Sequence, residues 1–282
     1  MSEKLLAELG VDRLPYDQRD KRVTELMDLT GKVAVVTAGG GPSLGQAIVH
    51  RLAGLGATVA VLDRDEAAAI SVAGAAAKRW GGQTLPLKTD VTSWDDVARA
   101  IAAIVARFGR IDIWVNNVGG IARMAQFAQF TKDEIDFDVG LNLKGLLYCT
   151  RQVLDIMLPQ GGGRIINISS EGGKTRNRGI SVYNSCKSGI IGFTRNLAHE
   201  LKGTGVSTVC VCPGIMLTDA VIAGMRALPE ENEDATAESI LRSTAGRASL
   251  PEEVANMVAF LASEAGSYVE ATAVSVGGGL TD

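Results

Sequence analysis

Seven short apolar runs, alternating with segments of helix length, constrain this chain more than any other feature of its sequence. They are KVAVVT (32–37), ATVAVLD (57–63), the stretch 83–87, IDIWVNN (111–117), GRIINIS (163–169), VSTVCVC (206–212) and TAVSVGG (272–278). Apolar runs without polar alternation mark strands buried on both faces, and regular strand–helix alternation puts such strands in one parallel sheet. The predicted fold is α/β: a single doubly wound domain, a seven-stranded parallel sheet flanked by helices. The helical signal is clearest between Thr92 and Gly109. Thr92 or Ser93 can cap its start, Asp95 and Asp96 suit the positive end of its dipole, and Gly109 suits a left-handed stop. Val97, Ile101, Ile104, Val105 and Phe108 form one apolar stripe, as the helical period requires. A second helix is read around Thr194–Leu201.

Composition narrows the function classes. A net charge of −4 supplies no basic field, so nucleic acid is not an expected partner. No run approaches the ~18 uncharged apolar residues that span a membrane, and the opening MSEKLLAELG has no signal-peptide core, so the expected location is cytoplasmic. Cys149, Cys186, Cys210 and Cys212 show no metal-ligand spacing and read as buried thiols, and no metal is expected. His50 and His199 lie in helical stretches and read as surface or packing residues. Residues 1–29, with DQRDKR at 17–22, form a charged arm ahead of the domain at 31–282, either an oligomer contact or a disordered tail.

The stretch TAGGGPSLG (37–45) follows the first strand and opens a helix. A glycine-rich turn in that place lets helix N–H groups hold a pyrophosphate. Asp63 ends the second strand about 20 residues further on, where a carboxylate accepts hydrogen bonds from a ribose and repels a 2′-phosphate. The expected cofactor is therefore NAD rather than NADP, although Arg64 beside Asp63 could pair with such a phosphate.

With its remaining motifs the chain resembles the short-chain dehydrogenase/reductase family from Thr30 to its end. The family's glycine pattern is altered. Aligned from the right, Gly39, Ser43 and Gly45 take the three glycine positions; aligned from Thr37, Ala38 replaces the first. The resemblance implies a Rossmann-type fold and a cofactor site built from Gly39, Gly41, Ser43, Leu44, Gly45, Asp63, Asp90, Val91, Asn117, Gly119, Tyr183, Lys187, Pro213, Ile215 and Thr218. Asp90-Val91 follows the third strand, Asn116-Asn117-Val118-Gly119 resembles the NNAG motif, and Pro213-Gly214 begins the segment that meets the nicotinamide. Asn142 in LNLKG, Ser170, and Tyr183 with Lys187 in YNSCK are similar to the family's catalytic residues; Ser170 stands 13 residues before Tyr183, the family spacing.

The implied chemistry is hydride transfer between NAD(H) and a secondary alcohol or ketone, with Tyr183 as acid/base. A free phenol is too weakly acidic for that task near neutral pH. Lys187, one helical turn away, and the nicotinamide cation are expected to lower its pKa. By resemblance Lys187 also holds the nicotinamide ribose, Ser170 hydrogen-bonds the substrate oxygen, and Asn142 holds a water that links Lys187 to solvent. The substrate lid is expected at about 216–245, with Met216, Leu217, Val221, Ile222 and Met225 as an apolar wall and EENEDATAE as an exposed turn. Lys174, Arg176 and Arg178 form a basic loop that could meet a carboxylate or a CoA phosphate, or remain a solvated loop or subunit contact. Alternatives are a hydroxyacyl-thioester dehydrogenase or 3-oxoacyl reductase, and a non-catalytic dinucleotide-binding regulatory protein. Family members assemble as tetramers or dimers, so a homo-oligomer is expected.

Overall fold

The computed structural model describes residues 3–8, 18, 20–218, 221–222 and 243–280. All seven apolar runs are strands: β1 Val33–Thr37, β2 Thr58–Asp63, β3 Thr84–Lys88, β4 Ile113–Asn116, β5 Gly163–Ile168, β6 Val206–Pro213 and β7 Ala273–Val276. They form one sheet in the order β3-β2-β1-β4-β5-β6-β7, every pairing parallel. The chain winds outward from β1 to β3, returns to the middle at β4, and winds outward the other way. The carboxyl ends of β1 and β4 therefore flank the switch point, the place where this topology opens a crevice.

Alternate strand residues feed two cores. Ala34, Val36, Val59, Val61, Ile113 and Val115 pack beneath α3 (Leu44–Gly54), α4 (Glu66–Trp80) and α9 (Pro251–Ala262). Val33, Val35, Ala60, Leu62 and Trp114 pack on the other face, beneath α5 (Trp94–Phe108), α7 (Gly145–Gln160) and the end of α8 (Ser181–Glu200). This is the doubly wound Rossmann fold of the sequence reading, and its strands read as unbroken apolar runs because both faces are covered.

Helix ends follow local chemistry. The Ser93 hydroxyl accepts the Asp96 N–H at the start of α5, and Gly109 closes that helix at φ 77°. The helix expected around residue 194 is the second half of α8, which begins at Ser181. Two short helices, α1 (Glu3–Glu8) and α2 (Val23–Leu26), lie in the amino-terminal arm. Its last residues lie against the chain's own body: Lys21 pairs with Glu264 at 3.5 Å, the Leu29 N–H donates to the Leu55 carbonyl at 2.8 Å, and Leu29 is buried. The remainder of the arm, Met225 and the EENEDATAE stretch lie outside the described residues. Among the described residues, no helix is long and apolar enough to cross a membrane.

Candidate active site

At the carboxyl end of β1 the backbone turns sharply, with Ala38 in the left-handed region at φ 49°. Close approach then governs the loop. A Cβ on Gly45 would stand 2.0 Å from the Ala38 carbonyl oxygen, and one on Gly40 would stand 2.7 Å from the Ala69 nitrogen. Gly41 is different, because its nearest neighbour would be 3.6 Å away. The crowded glycines are thus Gly39, Gly40 and Gly45, and Gly40 is the one the motif reading did not single out. A run of three glycines gives no signal for which member is crowded.

Ser43 precedes α3 and makes no side-chain capping bond, so its hydroxyl and the first-turn N–H groups of Leu44 and Gly45 are suited to an anion. Asn117 ties this loop to β4. Its amide nitrogen donates to the carbonyls of Thr37 and Ala38 at 3.1 and 3.3 Å, and its backbone N–H donates to the Thr37 hydroxyl at 2.9 Å. Asp63 braces the same loop from β2: its carboxylate accepts the Gly40 N–H at 3.1 Å and the Asp65 N–H at 3.0 Å. Arg64 is exposed beside it.

A cavity of about 280 Å³ opens at these strand ends, lined by Ala38, Asp63, Arg64, Asp90, Val91, Gly119, Phe137 and others. Asp90 holds its own turn by accepting the Thr92 N–H at 2.9 Å and the Thr92 hydroxyl at 2.7 Å. A glycine-lined helix start, a strand-end carboxylate and an adjoining cleft suit the pyrophosphate, ribose and adenine of a dinucleotide.

Across the switch point, β5 delivers Ser170 and α8 delivers Tyr183 and Lys187. The Ser170 hydroxyl accepts the Gly172 N–H at 3.0 Å and stands close enough to the Tyr183 phenol to bear on its acidity. Lys187 is buried, its ammonium 5.5 Å from the Tyr183 ring centroid and donating to the Ile168 carbonyl at 3.1 Å. A Cβ on Gly119 would lie 3.0 Å from that ammonium, so this glycine keeps the floor of the cleft low enough to reach it. Ser169, the neighbour of Ser170, anchors the helix instead, donating to the Lys187 carbonyl at 2.8 Å.

One expectation changes. Burial raises the Tyr183 phenol above its ordinary value; the Ser170 hydrogen bond opposes this, and Asp138 adds to the rise. The expected lowering by Lys187 is absent from the chain alone, because the ammonium lies over the ring while burial penalises the phenolate. Burial likewise pulls Lys187 down to about 8.

Asn142 is placed by a local irregularity of the backbone. It sits on a π-helical turn, Gly140–Lys144, between α6 (Lys132–Val139) and α7. Its amide donates to the carbonyls of Gly120 at 2.8 Å and Asp138 at 2.9 Å and accepts the Gly120 N–H at 3.1 Å. The fully buried side chain is a staple for the loop after β4.

Pro213 ends β6, and Gly214 approaches the last strand so closely that a Cβ would meet the Gly277 Cα at 2.8 Å. The Ile215 carbonyl accepts the Ser249 N–H at 3.0 Å, and the Thr218 hydroxyl accepts the Val221 N–H at 3.1 Å. These residues line the carboxyl end of the strand beside β5.

The comparisons agree with this geometry. A family model described as enoyl-(acyl carrier protein) reductase matches residues 39–281. A short-chain dehydrogenase/reductase, AstE, of Aspergillus oryzae is 36% identical over 256 residues, covering 90% of this chain and 96% of that protein. A 3-oxoacyl-[acyl-carrier-protein] reductase of Synechocystis sp. is 35% identical over 254 residues, covering 89% of this chain and 98% of that protein. The solved structure of a 7α-hydroxysteroid dehydrogenase complexed with NADH and 7-oxo glycochenodeoxycholic acid superposes with a TM-score of 0.83 at 27% identity, covering 92% of this chain and 97% of that one. Fold, site and relatives converge: the chain belongs to the short-chain dehydrogenase/reductase family of oxidoreductases.

Proposed function

We propose that this oxidoreductase moves a hydride between NAD(H) and a secondary alcohol or ketone of small to medium size. The observation that carries the reading is the buried Lys187 ammonium 5.5 Å from the Tyr183 ring centroid, with Ser170 close enough to bear on the phenol, beside a cleft suited to a dinucleotide. The bound nicotinamide supplies the hydride chemistry. Tyr183 passes the proton to or from the substrate oxygen, and Ser170 hydrogen-bonds that oxygen as its charge develops. Lys187 meets the nicotinamide ribose, and the charge of oxidised nicotinamide offsets the burial that raises the phenol. Gly39, Gly41, Ser43, Leu44 and Gly45 surround the pyrophosphate, Asp63 meets the adenosine ribose, Asp90 and Val91 border the adenine, and Asn117 and Gly119 shape the cleft between. Pro213, Ile215 and Thr218 flank the nicotinamide.

The position of Asp63 at the end of β2 supports NAD over NADP, and a similar structure holds NADH. Asp63 also braces the loop, so its acceptors serve both tasks. A panel of secondary alcohols with NAD, and of ketones with NADH, followed by nicotinamide absorbance, tests the reading. Turnover on one or more members supports it, and turnover only with NADPH contradicts the cofactor assignment.

A second reading, reduction of a 3-oxoacyl thioester, draws on the Synechocystis relative and on Arg176 and Arg178, exposed on the loop that follows Ser170. Neither arginine has an ion-pair partner among the described residues. We read the assembly as a cytoplasmic homo-oligomer, a tetramer or dimer, which light scattering of the purified protein measures.

A further inference from the structure

Helix α6 is built inside out. Of its eight residues only Asp138 is fully buried, whereas its neighbours Phe137 and Val139 are 45% and 38% exposed. An acid is rarely buried unless its oxygens find partners, yet Asp138 is only half satisfied. One carboxyl oxygen accepts the Ala122 N–H at 2.7 Å, and the other is buried without a hydrogen-bond partner. The backbone carbonyl of the same residue accepts from the Asn142 amide at 2.9 Å and from the Cys186 thiol at 3.8 Å. Asp138 thus stands where three parts of the site meet: the loop after β4, the π-helical turn and the helix that carries Tyr183.

We propose that Asp138 is a positioning residue for the reaction: its buried carboxyl fixes the loop after β4 through Ala122 and places a negative charge against the helix that carries Tyr183 and Lys187. The inference rests on the reading of Tyr183 as the acid/base. Among the described residues, the charged and titratable groups around Asp138 lie on α6, the loop after β4 and α8. Glu134 stands one turn earlier on α6 and pairs with Arg123 of the loop at 2.7 Å. On α8 the groups are Tyr183, Cys186 and Lys187, and the π-helical turn contributes the uncharged Asn142.

Burial and the negative charge of Glu134 hold the Asp138 carboxyl above the usual carboxylate range, the Ala122 N–H opposing them. The same carboxylate raises the Tyr183 phenol and the Cys186 thiol. In the alkaline range where a phenol titrates, Asp138 is ionised and repels the forming phenolate. The consequence is directional: Tyr183 is kept protonated, the form that donates to a carbonyl oxygen during reduction.

The test uses Asp138→Asn, which preserves shape and the acceptor for the Ala122 N–H while removing the charge. The Tyr183 phenolate is titrated by ultraviolet absorbance, its contribution isolated by difference from Tyr183→Phe, with neither substrate nor cofactor present. The midpoint is expected to fall by about one pH unit in Asp138→Asn, the scale of shift a nearby like charge produces. The pH optimum of alcohol oxidation falls with it. Asp138→Thr, read the same way, serves where the asparagine variant does not fold. A midpoint unchanged in a folded variant, with activity lost in Tyr183→Phe, overturns this proposal and leaves the acid/base reading standing. Full activity in Tyr183→Phe overturns the acid/base reading and this proposal with it.

Discussion

The two sides of the switch point are built from different materials. On the side of β1 to β3 the proposed dinucleotide cradle is made of space and backbone: Gly39, Gly40 and Gly45 are pressed against carbonyls, strand side chains and a neighbouring helix, and the hydroxyl of Ser43 is left uncommitted by its helix. On the side of β4 to β6 the site is made of side chains held at fixed separations, with the Lys187 ammonium 5.5 Å from the Tyr183 ring centroid and Ser169 donating to the Lys187 carbonyl. A backbone cradle tolerates an irregular glycine spacing as long as the crowded points stay glycine. A side-chain constellation tolerates no such drift, because its chemistry depends on which atoms meet.

Three substitutions sharpen this contrast, the largest effect first. Tyr183→Phe removes the proton carrier and leaves the cradle untouched; kcat is expected to fall by about 10²–10⁴-fold with NADH affinity unchanged, as steady-state kinetics and fluorescence titration report. Gly45→Ala acts on the other side. Its Cβ would meet the Ala38 carbonyl at 2.0 Å, so the loop must shift at a cost of about 1–3 kcal/mol, seen as a lower urea midpoint and weaker NADH binding. Gly41→Ala sits in the same run with its nearest neighbour at 3.6 Å, and stability is expected to stay within about 0.5 kcal/mol of the parent. Equal losses in the two glycine variants would break the claim that close approach, rather than glycine content, defines the cradle.

How much the sequence reveals differs between the same two regions. The strands are legible because parallel strands covered on both faces leave plain apolar runs such as VAVV, and YNSCK is legible because a side-chain constellation keeps its spacing. Gly40 was hidden because crowding against Ala68 and Ala69 of α4 is a tertiary fact with no local signature. Asp138 was hidden for the opposite reason: KDEIDFDV reads as a solvated acidic helix start, and only packing against α8 turns one of its acids inward. The direction of the Tyr183 shift escaped as well, since spacing shows that Lys187 shares a face with the tyrosine but not how deeply both are buried.

The altered loop is proposed to hold a dinucleotide, with Asp63 selecting NAD. Titration of the purified protein with NADH and with NADPH, following nicotinamide fluorescence in the parent and in Asp63→Ala, tests this directly. The parent is expected to bind NADH more tightly than NADPH, and Asp63→Ala to weaken NADH binding and narrow the preference. Tighter binding of NADPH by the parent would contradict the role given to Asp63, and binding of neither would remove the cradle itself.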